Sequence, residues 1–559
     1  MIRNAKTIHL SNGVVWMGPG APDQHELLIV GNRIEAVGAD VVGRIAELER
    51  ERGETAEKFV DRVDLEGGMI IPSFGEGHSH PIFGGLEARG PQIRACTSVE
   101  EIIDEVRRYA ENNPDEEWIL GASYDGSLAP SGLFDARWLD EAVPDRPVVL
   151  RAWDYHTVWC NTRALELAGI EANTPEPELG EIPRRQDGSP LGTLREWGAV
   201  DLVAAVNPGY SFDDRVAALA RATEHFAALG VTWIQDAWVE PEDIDVYIEA
   251  ALRGALATRV NLALLADPRV FPNSLEQMIA ARQRIRELKH PLLTANSVKF
   301  FTDGVVENET GALLEPYCSG AHDHGMLVWD STHLAESVAA VMAVGFQPHL
   351  HAIGDAAVRC ALDAIEHSQS INGDLDLRPV IAHVQLASEE DLARFATLGV
   401  TANMQPLWAQ EDALMTALTI PRLGQERADK QYQLKTLTHL GATLSFGSDW
   451  PCSSAAPFDG IAVATSRQTQ QGQPELGWTP HQILDVETAL FAYTAGTAHQ
   501  AFADQRDVPW GQIARGSSAD LVWLDADPRT TPPQQMPMIG IRATYLAGTV
   551  TFRVAQGAQ

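Results

Sequence analysis

His78-Ser79-His80 closes an apolar run, Met69-Ile70-Ile71-Pro72-Ser73-Phe74-Gly75-Glu76-Gly77. Histidines one residue apart on an extended segment face the same side. At the mouth of a strand they could grip one metal ion through two imidazoles. Other metal-capable or titratable residues sit at or near the ends of further apolar runs: Lys299, His351, His383 and Asp449. Lysine is rare in the chain, occurring only at positions 6, 58, 289, 299, 430 and 435, so one inside Val298-Lys299-Phe300-Phe301 stands out. An ammonium cannot coordinate a cation, and burying it unpaired is costly. Two resolutions are open: an ion pair with Asp303, or reaction with carbon dioxide to a carbamate whose two oxygens bridge two metals. A pair bridged at ~3.5–4 Å would position and acidify a water. Asp449 could bind one metal, accept the water's proton and pass it to a leaving amine.

These residues need a scaffold that brings strand ends together. Apolar runs predict eight strands, at 69–78, 231–236, 259–265, 296–301, 345–351, 379–383, 399–404 and 442–448. Segments of helical spacing lie between them, at 215–229, 331–344, 355–368, 388–398 and 481–500. The alternation predicts a (β/α)8 TIM-like barrel over 71–501, with catalytic groups at the C-terminal strand ends. His78 and His80 would end strand one, and Lys299 would lie in strand four. His351 would end strand five, His383 strand six, and Asp449 would follow strand eight. The first 70 residues and 502–559 read as short strands with turns. Neither end has enough apolar surface for its own core, so together they should form one small β-sandwich domain. Residues 86–200 fit neither part. They hold one strand candidate, Pro147-Val148-Val149-Leu150-Arg151, and a loop rich in Pro, Gly and Glu, and read as an insertion or lid at the mouth.

With this scaffold in view, the chain resembles the amidohydrolase superfamily, and within it the YtcJ-like amidohydrolases, which include N-substituted formamide deformylase. The first-strand motif Ile71 to His80 carries the likeness, with Asn161-Thr162-Arg163-Ala164-Leu165 and Gly192-Thr193-Leu194-Arg195-Glu196. Val298 to Gly304, His351-Ala352-Ile353-Gly354-Asp355, Ala382-His383-Val384-Gln385-Leu386 and Gly447-Ser448-Asp449-Trp450-Pro451 follow in the family's order. Ser73 and Glu76 stand where the family usually has glycine and aspartate. The resemblance implies that His78, His80, Lys299, His351, His383 and Asp449 are metal ligands. It implies a carboxylated, bridging Lys299 and makes Asp449 the catalytic proton shuttle. The expected cofactor is a divalent metal pair, two zinc ions or else manganese, cobalt or nickel. The expected reaction is hydrolysis of a linear amide C–N bond, in an N-substituted formamide or other N-acyl amine, by metal-activated hydroxide. A mononuclear deaminase of an amino-heterocycle is the alternative, but that chemistry does not need Lys299. A non-catalytic scaffold is disfavoured because no ligand position is missing.

Other residues have competing structural readings. Asp303 and Asp355 follow metal strands and could orient ligands or cap helices. His156 is a candidate substrate contact, and Trp408 and Trp450 could wall an apolar pocket. His349, two residues before His351, reads as a packed or hydrogen-bonded core histidine. His322 and His324 read as loop residues.

Composition narrows the class. The chain has 559 residues and a net charge of −35, which argues against nucleic acid as a partner. No run reaches the ~18 apolar residues of a membrane span, so no membrane partner is expected. Five scattered cysteines form no Cys-x-x-Cys, so neither a disulfide framework nor a zinc knuckle is indicated. Met1 to Lys6 shows no leader-like segment, so a cytoplasmic location is expected. The remaining partners are a small amide and, by default, a second copy in a homodimer.

Overall fold

The computed structural model describes residues 6–318 and 323–555. Its centre is a sheet of eight strands that pair in parallel in chain order. They are Phe74–Ser79, Val231–Val239, Arg259–Leu265, Leu293–Phe301, Gln347–Ala352, Val380–His383, Thr401–Met404 and Thr443–Phe446. Helices cover the outer face, so the strands are buried on both faces and read as near-continuous apolar runs. Strand eight meets strand one at a seam. There the Asp449 N–H donates to His78 O at 2.8 Å and the His80 N–H to Trp450 O at 2.7 Å. Gly77 sits in this seam because a Cβ there would lie 2.2 Å from Asn403 Nδ2.

The helices follow local chemistry. Phe212–Ala228 begins where Ser211 Oγ accepts the Asp214 N–H, and it buries Val216, Leu219 and Phe226 on one stripe. It stops before Gly230, whose φ of 85° a side chain would resist. The expected helix at 481–500 is instead broken into a short turn at Pro480–Gln482 and a helical stretch from Val486 to Gln500.

The expected first strand at 69–78 is two strands. Met69–Pro72 pairs with Leu521–Leu524 in a terminal sheet, and Phe74–Ser79 enters the barrel. Ser73 marks the handover: its N–H donates to Asp520 O, and the next one, of Phe74, to Gly230 O. Both halves are buried, so apolar patterning could not separate them.

Both chain ends build one five-stranded sheet, from Val14–Val15, Met69–Pro72, Leu521–Leu524, Ile541–Leu546 and Thr549–Arg553. A four-stranded sheet of Thr7–Ser11, Leu27–Val30, Arg33–Val37 and Val60–Asp64 shares its core through Leu10, Ile29, Trp523 and Tyr545. The N-terminal part also contains a helix, Asp40–Arg52, where only strands and turns were expected. Val41, Ile45 and Leu48 form its buried stripe.

The 86–200 segment holds four strands rather than one. Ile119–Tyr124, Val148–Ala152, Thr157–Cys160 and Thr193–Arg195 form a sheet around its own core of Phe134, Leu150 and Trp159. It reaches the barrel through hydrogen bonds from Asn308 Nδ2 to Thr157 Oγ1 at 2.9 Å and Thr310 Oγ1 to Glu196 Oε1 at 2.5 Å. Among the described residues, no helix is long and apolar enough to cross a membrane.

One buried ion pair ties the terminal sheet to the barrel. Arg259 donates to both oxygens of Asp520, at 3.1 and 3.0 Å, and the Ala547 N–H adds a third bond to Asp520 at 2.8 Å. Removing one partner of such a pair strands the other charge, a loss of about 3–5 kcal/mol. Asp520→Ala should therefore lower the unfolding midpoint in urea by that equivalent. A midpoint equal to that of the unmodified chain would contradict this.

Candidate metal centre

The six sequence-predicted ligands converge on the mouth of the barrel. His78 Nε2 lies 3.6 Å and His80 Nε2 2.9 Å from Asp449 Oδ1. The His383 ring lies 4.7 Å from that of His78 and 4.6 Å from that of His351, centre to centre. One ligand atom each from His78, His383 and Asp449 falls within 4.8 Å of the others. Lys299 is fully buried; its Nζ has no hydrogen-bond partner and lies 4.3 Å from the centre of the Phe301 ring. The ion pair with Asp303 is not formed. Asp303 instead accepts the N–H groups of Ala312, Ile353 and Gly354 at 2.8–3.0 Å, which secures the loop after strand five beside His351.

Burial dominates the electrostatics. It holds the imidazoles of His78 and His351 well below their ordinary range, takes His383 down to about 3, and lowers His80. These rings are therefore neutral, the form that binds metal. Burial also brings the Lys299 amine down to about 7, against the pull of Asp449. Burial would raise Asp449, but His80, His383 and Lys299 outweigh it and hold the carboxylate below its ordinary range.

Neighbours orient the candidate ligands. Gln405 Oε1 lies 2.8 Å from His383 Nδ1, and His349 Nε2 lies 2.8 Å from His78 Nδ1. Glu76 accepts from the Ser448 N–H and Oγ, both at 2.8 Å, and from the His78 N–H at 3.2 Å, so it ties strand eight to strand one. Burial pushes its carboxyl up to about 8. His383, Val384 and Asp449 have φ of 77°, 45° and 55°. Such left-handed backbone costs about 1–3 kcal/mol per residue and collects at functional sites. The fold holds it here because strand ends and loops on every side fix the chain.

Above the ligands opens a cavity of about 330 Å³. Its wall includes His156, Trp408, Tyr124, Tyr432, Leu414 and Met415. Trp408 stacks on His383, with ring centres 5.4 Å apart and planes 5° from parallel. His156 reaches in from the insertion, its Nδ1 2.8 Å from Glu196 Oε2 and its ring 5.3 Å from that of His351. Trp450, expected in the same wall, is not there. It packs against Phe226, His225 and the backbone of Gly84. Asp355 accepts the Leu314 N–H at 2.8 Å and so stays out of the ligand group. His324 bonds Leu313 O, and His322 lies outside the described residues.

Sequence reasoning gave no role to Glu196, Asp154 or Cys452. Glu196 carries a φ of 60° and links His156 to Thr310 across the insertion–barrel boundary. Its place at the end of the Gly192 to Glu196 motif was the available signal. Asp154 accepts the N–H groups of His156 and Thr157 and so braces the His156 turn. Cys452 lines the cavity three residues beyond Asp449, and no spacing rule marks it.

The donor set fits a divalent metal. Besides the neutral imidazoles, Asp449 Oδ1 is buried without a hydrogen-bond partner, with His80 Nε2 2.9 Å away. Lys299 Nζ is also without a hydrogen-bond partner. Comparison with known proteins agrees. The model of the Amidohydrolase family matches residues 61–552, and the chain belongs to that family, whose members are metal-dependent hydrolases. It is 26% identical to the putative amidohydrolase YtcJ of Bacillus subtilis, over 94% of this chain and 98% of the relative. It is also 26% identical to the N-substituted formamide deformylase of Arthrobacter pascens, over 94% of each. The crystal structure of an uncharacterized metal-dependent hydrolase from Pyrococcus furiosus superposes with a TM-score of 0.69 at 25% identity, covering 94% of this chain and all of that one.

The buried amine makes a thermodynamic prediction for the metal-free chain. Lys299 ordinarily titrates near 10.5 and is lowered to about 7 in the folded protein. Between these values the unfolded chain binds more protons, so stability rises with pH across that window. Lys299→Met should abolish this component and stabilise the metal-free protein most at the low end. Thermal melts from pH 7 to 10 in the presence of chelator would show it as a converging pair of curves. Parallel curves would contradict it.

Proposed function

We propose that the chain hydrolyses a linear amide C–N bond, in an N-substituted formamide or a related N-acyl amine. The observation that carries this reading is Lys299 Nζ, buried without a hydrogen-bond partner among neutral histidines and within the pull of Asp449. A neutral amine is the form that adds to carbon dioxide, releasing a proton and leaving a carbamate. His78, His80, His351, His383, Asp449 and carboxylated Lys299 would then hold two zinc ions, or manganese, cobalt or nickel. When bound, the metals supply Lewis-acid chemistry, acidifying water and polarising the amide carbonyl.

The chain's own residues do the rest. Asp449 accepts the proton from the attacking water and delivers it to the departing nitrogen. Glu76 and the Asp449 N–H bond to His78 O keep that carboxylate at the seam. The mostly apolar wall around Trp408 takes the substituent on nitrogen and excludes water. Water and amide become formate, or another carboxylate, and a free amine. The formamide class is supported by the likeness to the Arthrobacter deformylase. The deaminase alternative gives Lys299 no task, and the burial of an idle amine counts against it.

Elemental analysis of protein purified with bicarbonate should give about two metals per chain. A panel of N-alkyl and N-aryl formamides should then yield formate and amine in equal amounts. Asp449→Asn should reduce turnover by at least about 100-fold. A metal-loaded protein that releases neither product overturns the formamide assignment. A Lys299→Ala variant with full metal content and full activity would move the reading to a mononuclear deaminase.

A further inference from the structure

His349 lies on strand five one step deeper than His351, in register with Lys299 on strand four. The two histidines of this second His-x-His face different partners. The His351 ring lies 4.6 Å from that of His383, whereas the His349 ring lies 4.8 Å from that of His78. His349 Nε2 is 2.8 Å from His78 Nδ1, and both rings are buried. His78 turns its other nitrogen, Nε2, toward Asp449.

A neutral imidazole carries one N–H, and the partner of one nitrogen decides which nitrogen holds it. If His78 Nε2 is to offer a lone pair to a metal, its proton must sit on Nδ1. That proton then needs an acceptor, and His349 Nε2 is the only one in contact with it among the described residues. His349 must in turn carry its own proton on Nδ1. That atom is buried with no hydrogen-bond partner. A leucine would fill the same space without an unsatisfied donor, so packing alone does not explain a histidine here.

We propose that His349 is a positioning residue: its Nε2 accepts the Nδ1–H of His78 and thereby holds His78 in the tautomer and orientation that bind metal through Nε2. Ligating histidines are usually held by a carboxylate, a backbone carbonyl or water. Here another neutral histidine, from the strand that also supplies His351, does the holding. This inference rests on the reading of His78 as a metal ligand.

Zinc affinity, measured by chelator competition, tests it apart from activity. A glutamine amide reaches about as far as Nε2 of histidine, whereas an asparagine amide reaches only about as far as Nδ1. His349→Gln should hold zinc nearly as tightly as the unmodified chain. His349→Asn and His349→Leu should hold it about 10- to 100-fold more weakly. His349→Leu should do so without loss of thermal stability. Equal affinity in all three variants and the unmodified protein, or equal loss in all three, overturns the inference. Histidine-labelled nitrogen NMR of the unmodified protein gives a test without substitution. His349 should show its proton on Nδ1, and a proton on Nε2 overturns the inference. An unmodified chain that takes up no zinc overturns the ligand reading itself, and this inference with it. Tight zinc binding with indifferent variants overturns the inference alone.

Discussion

Lys299 Nζ lies at the centre of the barrel mouth, fully buried and without a hydrogen-bond partner. An amine in that position is tolerable only if it gives up its charge, and burial brings its titration down to about 7. The same burial keeps His78, His351 and His383 neutral. Neutral imidazoles and an amine brought down to about 7, beside one carboxylate, keep self-repulsion low. The cluster is also arranged for a cation that would compensate the desolvated Asp449. Burial thus sets both the protonation states of the site and the stability deficit that a ligand must repair.

The surrounding fold is organised to keep that burial intact. Strands eight and one share no ladder pairing, and three groups cross the seam between them. The Asp449 and His80 N–H groups bond across it, and Glu76 receives Ser448 and His78 together. The insertion contributes to the wall of the cavity, and Glu196 pins His156 while also bonding Thr310 of the barrel. His383 and Asp449 hold left-handed backbone at the two strand ends where ligands must turn inward. Such strain persists only because these contacts over-determine the chain.

Sequence and structure part where a pattern has two causes. The run from Met69 to Ser79 reads as one strand because apolar residues mark burial, not which sheet provides it. The division at Ser73 depends on pairing with Leu521–Leu524, about 450 residues away along the chain. The insertion showed one strand of four; Thr157–Cys160 and Thr193–Arg195 are too short to give a periodic signal, and Ile119–Tyr124 is interrupted by Gly121 and Ser123. Trp450 follows Asp449 directly, yet it packs outward on Phe226. Adjacency along a loop does not set the direction of a side chain.

By itself the sequence determined the (β/α)8 class and the identities of the six ligand candidates. The class rests on local facts, apolar runs of strand length with helical spacing between them, whereas the ligand set is what the resemblance to the amidohydrolases implied, including the choice of His351 over His349. The sequence also determined that Lys299 required an explanation, because an ammonium inside an apolar run is physically costly wherever it lies. Only the tertiary structure decided which groups hold the candidate ligands and His156 in place. The bonds His349 to His78, Gln405 to His383 and Glu196 to His156 join residues 271, 22 and 40 positions apart. Hydrogen bonds of this kind depend on distance and angle in space, and no spacing along the chain encodes them.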